Sequence, residues 1–244
     1  MVKDYERLDD LQLDGLKLIQ NRKHFCFGTD AVLVCSFANV KNTSSVIDLG
    51  TGNGIIPLLL YGKFKPRLIM GIEIQKEAYE LAVRNVKLNN LEDRISIING
   101  DIKNIKEYLQ CGSFDHVITN PPYLKSGTGI ISAEDSIAYA RHEILCTLDD
   151  VLKAARYLLK SKGTFTMVHR PDRLNEILMQ MKNNGIEPKT IRFVHPNEKS
   201  QAILVLIQGL KDMSPSLVVD HPLIIHKPDG SYTEELNMLY GRES

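Results

Sequence analysis

The chain has 244 residues, 43% hydrophobic and 25% charged, which suits one α/β domain with a sizeable core. Lys and Arg number 30, as do Asp and Glu, so the formal net charge is zero. That balance argues against a strongly basic nucleic-acid binder, though not against a local basic patch. Cys26, Cys35, Cys111 and Cys146 show neither CxxC nor zinc-finger spacing. They are expected to be reduced thiols of a cytosolic protein with no metal site. The charged N-terminus lacks the apolar core of a signal peptide, and no apolar run is long enough to span a bilayer.

In chain order, residues 1–43 are expected to form a helical lead-in, not a separate domain. Residues 45–49 are an apolar run containing Asp48, followed by a glycine turn and then apolar residues 55–61. This reads as strand, turn and helix. Residues 67–74 form a second strand with Glu73 near its end, and residues 76–88 have the apolar spacing of an amphipathic helix. A third strand, 95–98, is followed by Asp101 and a short helix to about Leu109. A fourth strand, 114–119, runs into Asn120-Pro121-Pro122-Tyr123. Helical spacing over 142–159 leads to a fifth strand at 164–169. A helix over 172–183 ends at Asn184-Gly185. Strands at 191–195 and 202–207 are close enough to pair antiparallel. The alternation predicts a Rossmann-like α/β fold: a mostly parallel, seven-stranded sheet with helices on both faces and a terminal antiparallel pair. The domain is expected to span 44–210. Residues 211–244 are read as an irregular extension packed on it, with turn signals at His221-Pro222 and Pro228-Asp229-Gly230.

Ligands of such sheets sit at the carboxyl ends of the strands. The turn DLGTGNG, residues 48–54, is at that place. Its glycines allow close backbone approach, and the helix after it offers free N–H groups. The turn lacks the G-x-G-x-x-G spacing of a dinucleotide site. Asp48, Glu73 and Asp101 lie at three successive strand ends, a set that repels a pyrophosphate and attracts a cation. S-adenosylmethionine (SAM) carries an ammonium, a sulfonium, a ribose diol and an adenine amine. Glu73 can accept from both ribose hydroxyls and Asp101 from the adenine amine.

The two prolines after Asn120 fix two φ angles and remove two backbone donors, so the fourth strand ends in a stiff turn. The Asn120 amide oxygen and the Pro121 carbonyl can hold the two hydrogens of an –NH2 group, and the Tyr123 ring can stack on the flat system that bears it. Held off the ring plane, such a nitrogen regains lone-pair density for attack on a methyl group. Catalysis is then orientation plus electrostatic preorganisation. In a nucleic acid the base must first be unstacked.

These residues together resemble class I SAM-dependent amino-methyltransferases with an NPPY motif. That superfamily includes adenine-N6 methyltransferases of DNA and RNA, guanine-N2 methyltransferases of ribosomal RNA and glutamine-N5 methyltransferases of release factors. Within it the chain is most similar to the bacterial tRNA adenine-N6 methyltransferases that modify position 37 of tRNA1(Val). The likeness is carried by FGTDAVLV (27–34), ARHE (140–143) and HP with SQAILVLIQG (within 195–209). The stretch before the glycine turn is expected to be too short for the helical N-terminal domain of glutamine-N5 enzymes.

The resemblance implies a catalytic set of Asn120, Pro121, Pro122 and Tyr123. The implied cofactor-binding set is Thr29, Asp48, Gly50, Thr51, Gly52, Gly54, Glu73, Ile74, Asp101, Ile102 and Asn120. Tyr123, Lys125, Arg141, His142 and Arg170 are expected to contact a tRNA substrate. Lys125, Arg141, His142, His169, Arg170 and Arg173 form either a basic rim or a set of ordinary solvated charges. His142 either helps remove the product proton or neighbours a helix N-cap; Phe27 either walls the adenine pocket or belongs to the core. Residues 127–139 are expected to form a mobile loop over the site. The rival activities are glutamine-N5 methylation of release factors, guanine-N2 methylation of ribosomal RNA, and a non-catalytic SAM- or RNA-binding module. The glycine spacing disfavours a nicotinamide oxidoreductase.

Overall fold

The computed structural model describes residues 2–21, 28–121 and 146–241. The lead-in is not wholly helical. Strands β1 (Glu6–Asp10) and β2 (Lys17–Asn21) form an antiparallel hairpin, with Glu6 opposite Asn21 and Asp10 opposite Lys17. Its turn places Gln12, Asp14 and Gly15 at φ 55°, 48° and 74°. Left-handed residues in succession break a helix but close a hairpin, which is why Asp14-Gly15 defeats the helical expectation. The only helix among the described residues of the lead-in is α1 (Thr29–Ala38).

The rest follows the expected alternation. In order come β3 (Ser45–Leu49), α2 (Ile55–Phe64), β4 (Leu68–Glu73), α3 (Lys76–Leu88), β5 (Ile95–Asn99), α4 (Ile105–Tyr108) and β6 (Phe114–Thr119). After residues outside the description come α5 (Leu148–Leu158), β7 (Leu159–His169), α6 (Leu174–Asn183), β8 (Ile186–His195) and β9 (Leu204–Lys211). β7, β8 and β9 are longer than expected. The C-terminal segment is more ordered than expected: it adds β10 (Val218–Val219), β11 (Leu223–Ile224) and α7 (Glu234–Leu239).

One sheet runs β10-β8-β9-β7-β6-β3-β4-β5, with β11 also beside β8. β5, β4, β3, β6 and β7 are parallel; β9 is antiparallel to both β7 and β8. The strand pleat divides the core into two layers. Val46, Ile69 and Ile118 face α1 and α2, while Ile47, Ile72 and Val117 face α5 and α6. α2 is apolar nearly all round and buried from Ile55 to Leu60. α5 begins with a capping box in which Thr147 and Asp150 satisfy each other's backbone N–H groups.

The C-terminal segment closes the α1–α2 layer. Leu236 is fully buried, Lys63 donates to the Leu239 carbonyl, and the Tyr240 hydroxyl donates to Thr29 Oγ1 at 3.2 Å. Among the described residues no helix is long and apolar enough to cross a membrane, and no group of three His, Cys, Asp or Glu could hold a metal ion.

Candidate active site

Strand register brings the motif residues to one edge. Leu49 lies opposite Ile72 and Thr119, and Glu73 lies opposite Asn99. The glycine turn, Glu73, Asp101 and Asn120 therefore leave the sheet side by side. The Thr119 hydroxyl donates to the Leu49 carbonyl at 2.8 Å, fixing the Asn120-Pro121 turn beside the glycine turn. A cleft of about 990 Å³ opens there.

The glycine turn hooks over β4: Gly50 N and Thr51 N both donate to the Ile72 carbonyl at 3.0 Å. Gly50 and Gly52 have φ of 75° and 56°, and a Cβ on either would meet nothing within 4 Å. Their bare backbone faces open space that a ligand can fill. Glu73 Oε2 accepts from Gly52 N and Oε1 from Gln75 N, each at 2.9 Å. Each oxygen keeps a further acceptor site for a ribose hydroxyl. Asp101 Oδ1 accepts from Lys103 N at 2.9 Å, and its other oxygen lies 3.5 Å from Lys103 Nζ. Ile74 and Ile102 line the cleft beside them.

Asp48 is fully buried under the turn, and neither its carboxylate oxygens nor Thr51 Oγ1 has a hydrogen-bond partner. Burial raises the Asp48 carboxyl to about 7, with Glu73 adding to the rise and the nearby Thr51 hydroxyl offsetting part of it. Asp48 and Gly54 do not line the cleft. Gly54 instead lets the turn approach α3, since a Cβ there would sit 3.2 Å from that of Ala82. Thr29 is also off the cleft; its neighbours Asp30 and Ala31 line it.

Asn120 and Pro121 line the cleft. Pro122, Tyr123, Lys125, Arg141 and His142 lie outside the described residues, as do Phe27 and the expected loop at 127–139. At the end of β7, buried His169 lines the same cleft. Its Nδ1 accepts from Arg170 N at 2.8 Å, so the neutral ring carries its proton on Nε2. Burial, then the charge of Arg173, lowers it to about 4. Arg170 pairs with Asp172 at 3.0 Å and does not line the cleft. Arg173 lines it but pairs with Glu176 at 2.5 Å, so acids partly neutralise this side of the expected rim.

Lys3 and Tyr5, just before β1, and Glu6 and Asn21 of the hairpin also line the cleft and were missed in the sequence. Arg84 holds Glu6 through contacts of 2.6 and 2.8 Å and lowers its carboxyl to about 2. The signal that could have found them is Asp14-Gly15 between two alternating runs.

Residues 22–186 match the family model of the methyltransferase small domain. The tRNA1(Val) (adenine(37)-N6)-methyltransferase of Porphyromonas gingivalis is 28% identical over 85% of this chain and 84% of its own. Its counterpart in Bacteroides thetaiotaomicron is 34% identical over 58% of each chain. A crystal structure of a predicted O-methyltransferase from Agrobacterium tumefaciens superposes with a TM-score of 0.72 at 22% identity, covering 88% of this chain and 97% of its own; at that identity it shows the fold alone. The open space before Gly50 and Gly52, and the carboxylates of Glu73 and Asp101 beside it, fit the amino-acid, ribose and adenine parts of SAM. The chain belongs to the methyltransferase small-domain family and is a SAM-dependent methyltransferase.

Proposed function

We propose that this protein transfers a methyl group to the exocyclic N6 amine of an adenine in tRNA, at position 37 of tRNA1(Val), in the cytoplasm. The observation that carries the proposal is the 2.8 Å Thr119–Leu49 hydrogen bond, which holds the Asn120-Pro121 turn beside the glycine turn. The relatives of that name support the substrate.

SAM, when bound, supplies an electrophilic methyl group on a sulfonium. Gly50, Thr51 and Gly52 hold its amino-acid end, Glu73 its ribose, and Asp101 its adenine, with Ile74 and Ile102 against the ring. Asp48 and Gly54 shape the turn from behind, and Thr29 starts the helix whose next residues line the cleft. The Asn120 amide oxygen and the Pro121 carbonyl accept the two hydrogens of the substrate amine. This aims the nitrogen lone pair out of the base plane and into the cleft. By the resemblance, Pro122 stiffens this turn and Tyr123 stacks on the flipped base. Lys125, Arg141, His142 and Arg170 contact the tRNA backbone.

The test uses labelled SAM, total tRNA from cells lacking this gene, and purified release factors. The expected product is labelled N6-methyladenosine in digested tRNA, mapped to position 37 of tRNA1(Val). Label in release factor instead would show that the two acceptors hold a glutamine amide. Label in ribosomal RNA alone would also overturn the proposal.

A further inference from the structure

The hairpin and the glycine turn are tied together by one side chain. Asn85 of α3 is fully buried. Its Oδ1 accepts from Ile19 N at 2.7 Å, and its Nδ2 donates to the Ile19 carbonyl at 3.0 Å and to the Asn53 carbonyl at 2.9 Å. One helical turn on, Asn89 makes the same two-way pairing with Lys17, at 2.8 and 2.7 Å. The geometry fits because four helical residues rise about 6 Å, close to the roughly 6.7 Å spanned by two strand residues. The two amides thus stand in for a neighbouring strand and satisfy the outer edge of β2. Both asparagines hold the hairpin, but only Asn85 also reaches the glycine turn.

Asn53 directly follows Gly52, whose N–H is held by Glu73. A turn with glycines at positions 50, 52 and 54, all at positive φ, has little stiffness of its own. A buried donor fixed on a helix adds to the hold that the Ile72 carbonyl and Glu73 already have on it. We infer that Asn85 is a positioning residue that sets the glycine turn for SAM and couples the docking of the hairpin to cofactor binding. Coupling of this kind is reciprocal: a docked hairpin favours the cofactor, and the cofactor favours the docked hairpin. The inference rests on the placement of SAM at the glycine turn proposed above.

The test compares SAM affinity, by calorimetry, for the wild-type chain, Asn85→Ala, Asn89→Ala and Glu73→Ala, with a melting temperature for each. Both asparagine variants lose hairpin contacts and should melt lower. Asn85→Ala should weaken SAM about tenfold, while Asn89→Ala, in which Asn85 still keeps the hairpin docked and tied to the turn, should change it by less than about twofold. Equal SAM affinity in the two, weakened or not, would overturn the inference. Unchanged affinity in Glu73→Ala would instead place the fault with the SAM site itself. Hydrogen exchange on the wild-type chain covers the case in which Asn85→Ala does not fold. Saturating SAM should slow exchange of the Ile19 amide at least about fivefold. No slowing would likewise overturn the coupling.

Discussion

At the scale of single residues, Asn120 and Asp48 differ in the task their surroundings allow. Asn120 lines the cleft, and its place is set by the bonded strand end before it. Asn120→Ala removes an acceptor needed only when the substrate amine is activated. It should lower kcat by about a hundredfold or more while leaving SAM affinity within about twofold. Single-turnover rates and calorimetry check this, and equal loss of both would make Asn120 a structural residue. Asp48 is a fully buried acid, raised from 3.8 to about 7. Between those values the folded chain holds a proton that the unfolded chain has released. Stability therefore falls through this group as pH rises from about 4 to 7. Asp48→Asn keeps the shape and removes the titration. In urea unfolding of the SAM-free proteins, the stability of the variant relative to wild type should increase across that window, by at most about 4 kcal/mol. A constant difference would show that Asp48 is not protonated in the fold.

At the scale of elements, the glycine turn and β4 are packed without slack. A Cβ on Gly71 would lie 2.9 Å from three atoms of the Thr51 side chain, which is itself buried. Gly71→Ala must displace the Thr51 side chain and with it the turn. It should cost about 1–3 kcal/mol of stability and raise the Kd for SAM, both measurable by urea unfolding and calorimetry. A variant with wild-type affinity would show that the turn yields freely. The turn, the strand and the acid at its end were legible because glycine spacing and a short apolar run are local signals. The hairpin was not. Leu11, Leu13, Leu16 and Leu18 alternate on either side of Asp14-Gly15, but so short a period-2 pattern is a weak signal beside the long apolar runs that follow. What decides between helix and hairpin is the left-handed backbone at Asp14 and Gly15, together with the Asn85 and Asn89 amides some 70 residues away.

At the scale of the whole molecule, the C-terminal segment is part of the core layer that backs the site. Leu236 is fully buried in the cluster that contains α1 and α2, and Tyr240 bonds to the first residue of α1. Leu236→Ala should destabilise the protein by about 2–5 kcal/mol, seen as a lower melting temperature. A loss below about 0.5 kcal/mol would show that this segment packs loosely.

The sequence by itself determined the alternating α/β core, the glycine turn, the acids at successive strand ends and the Asn120-Pro121 turn. Each depends on local backbone preference or on a hydrophobic period within one element. Tertiary structure decided what those motifs meet. Strand register placed Gly50, Glu73, Asp101 and Asn120 along one edge. Packing put Thr29, Asp48 and Gly54 behind the cleft surface and brought Lys3, Tyr5, Glu6 and Asn21 onto it. Ion pairing at the end of β7 offset the charges of Arg170 and Arg173. Register and packing are not visible along the chain, because they join groups that are distant in sequence; the two ion pairs are local, Arg170 with Asp172 and Arg173 with Glu176, and charge spacing alone could have shown them.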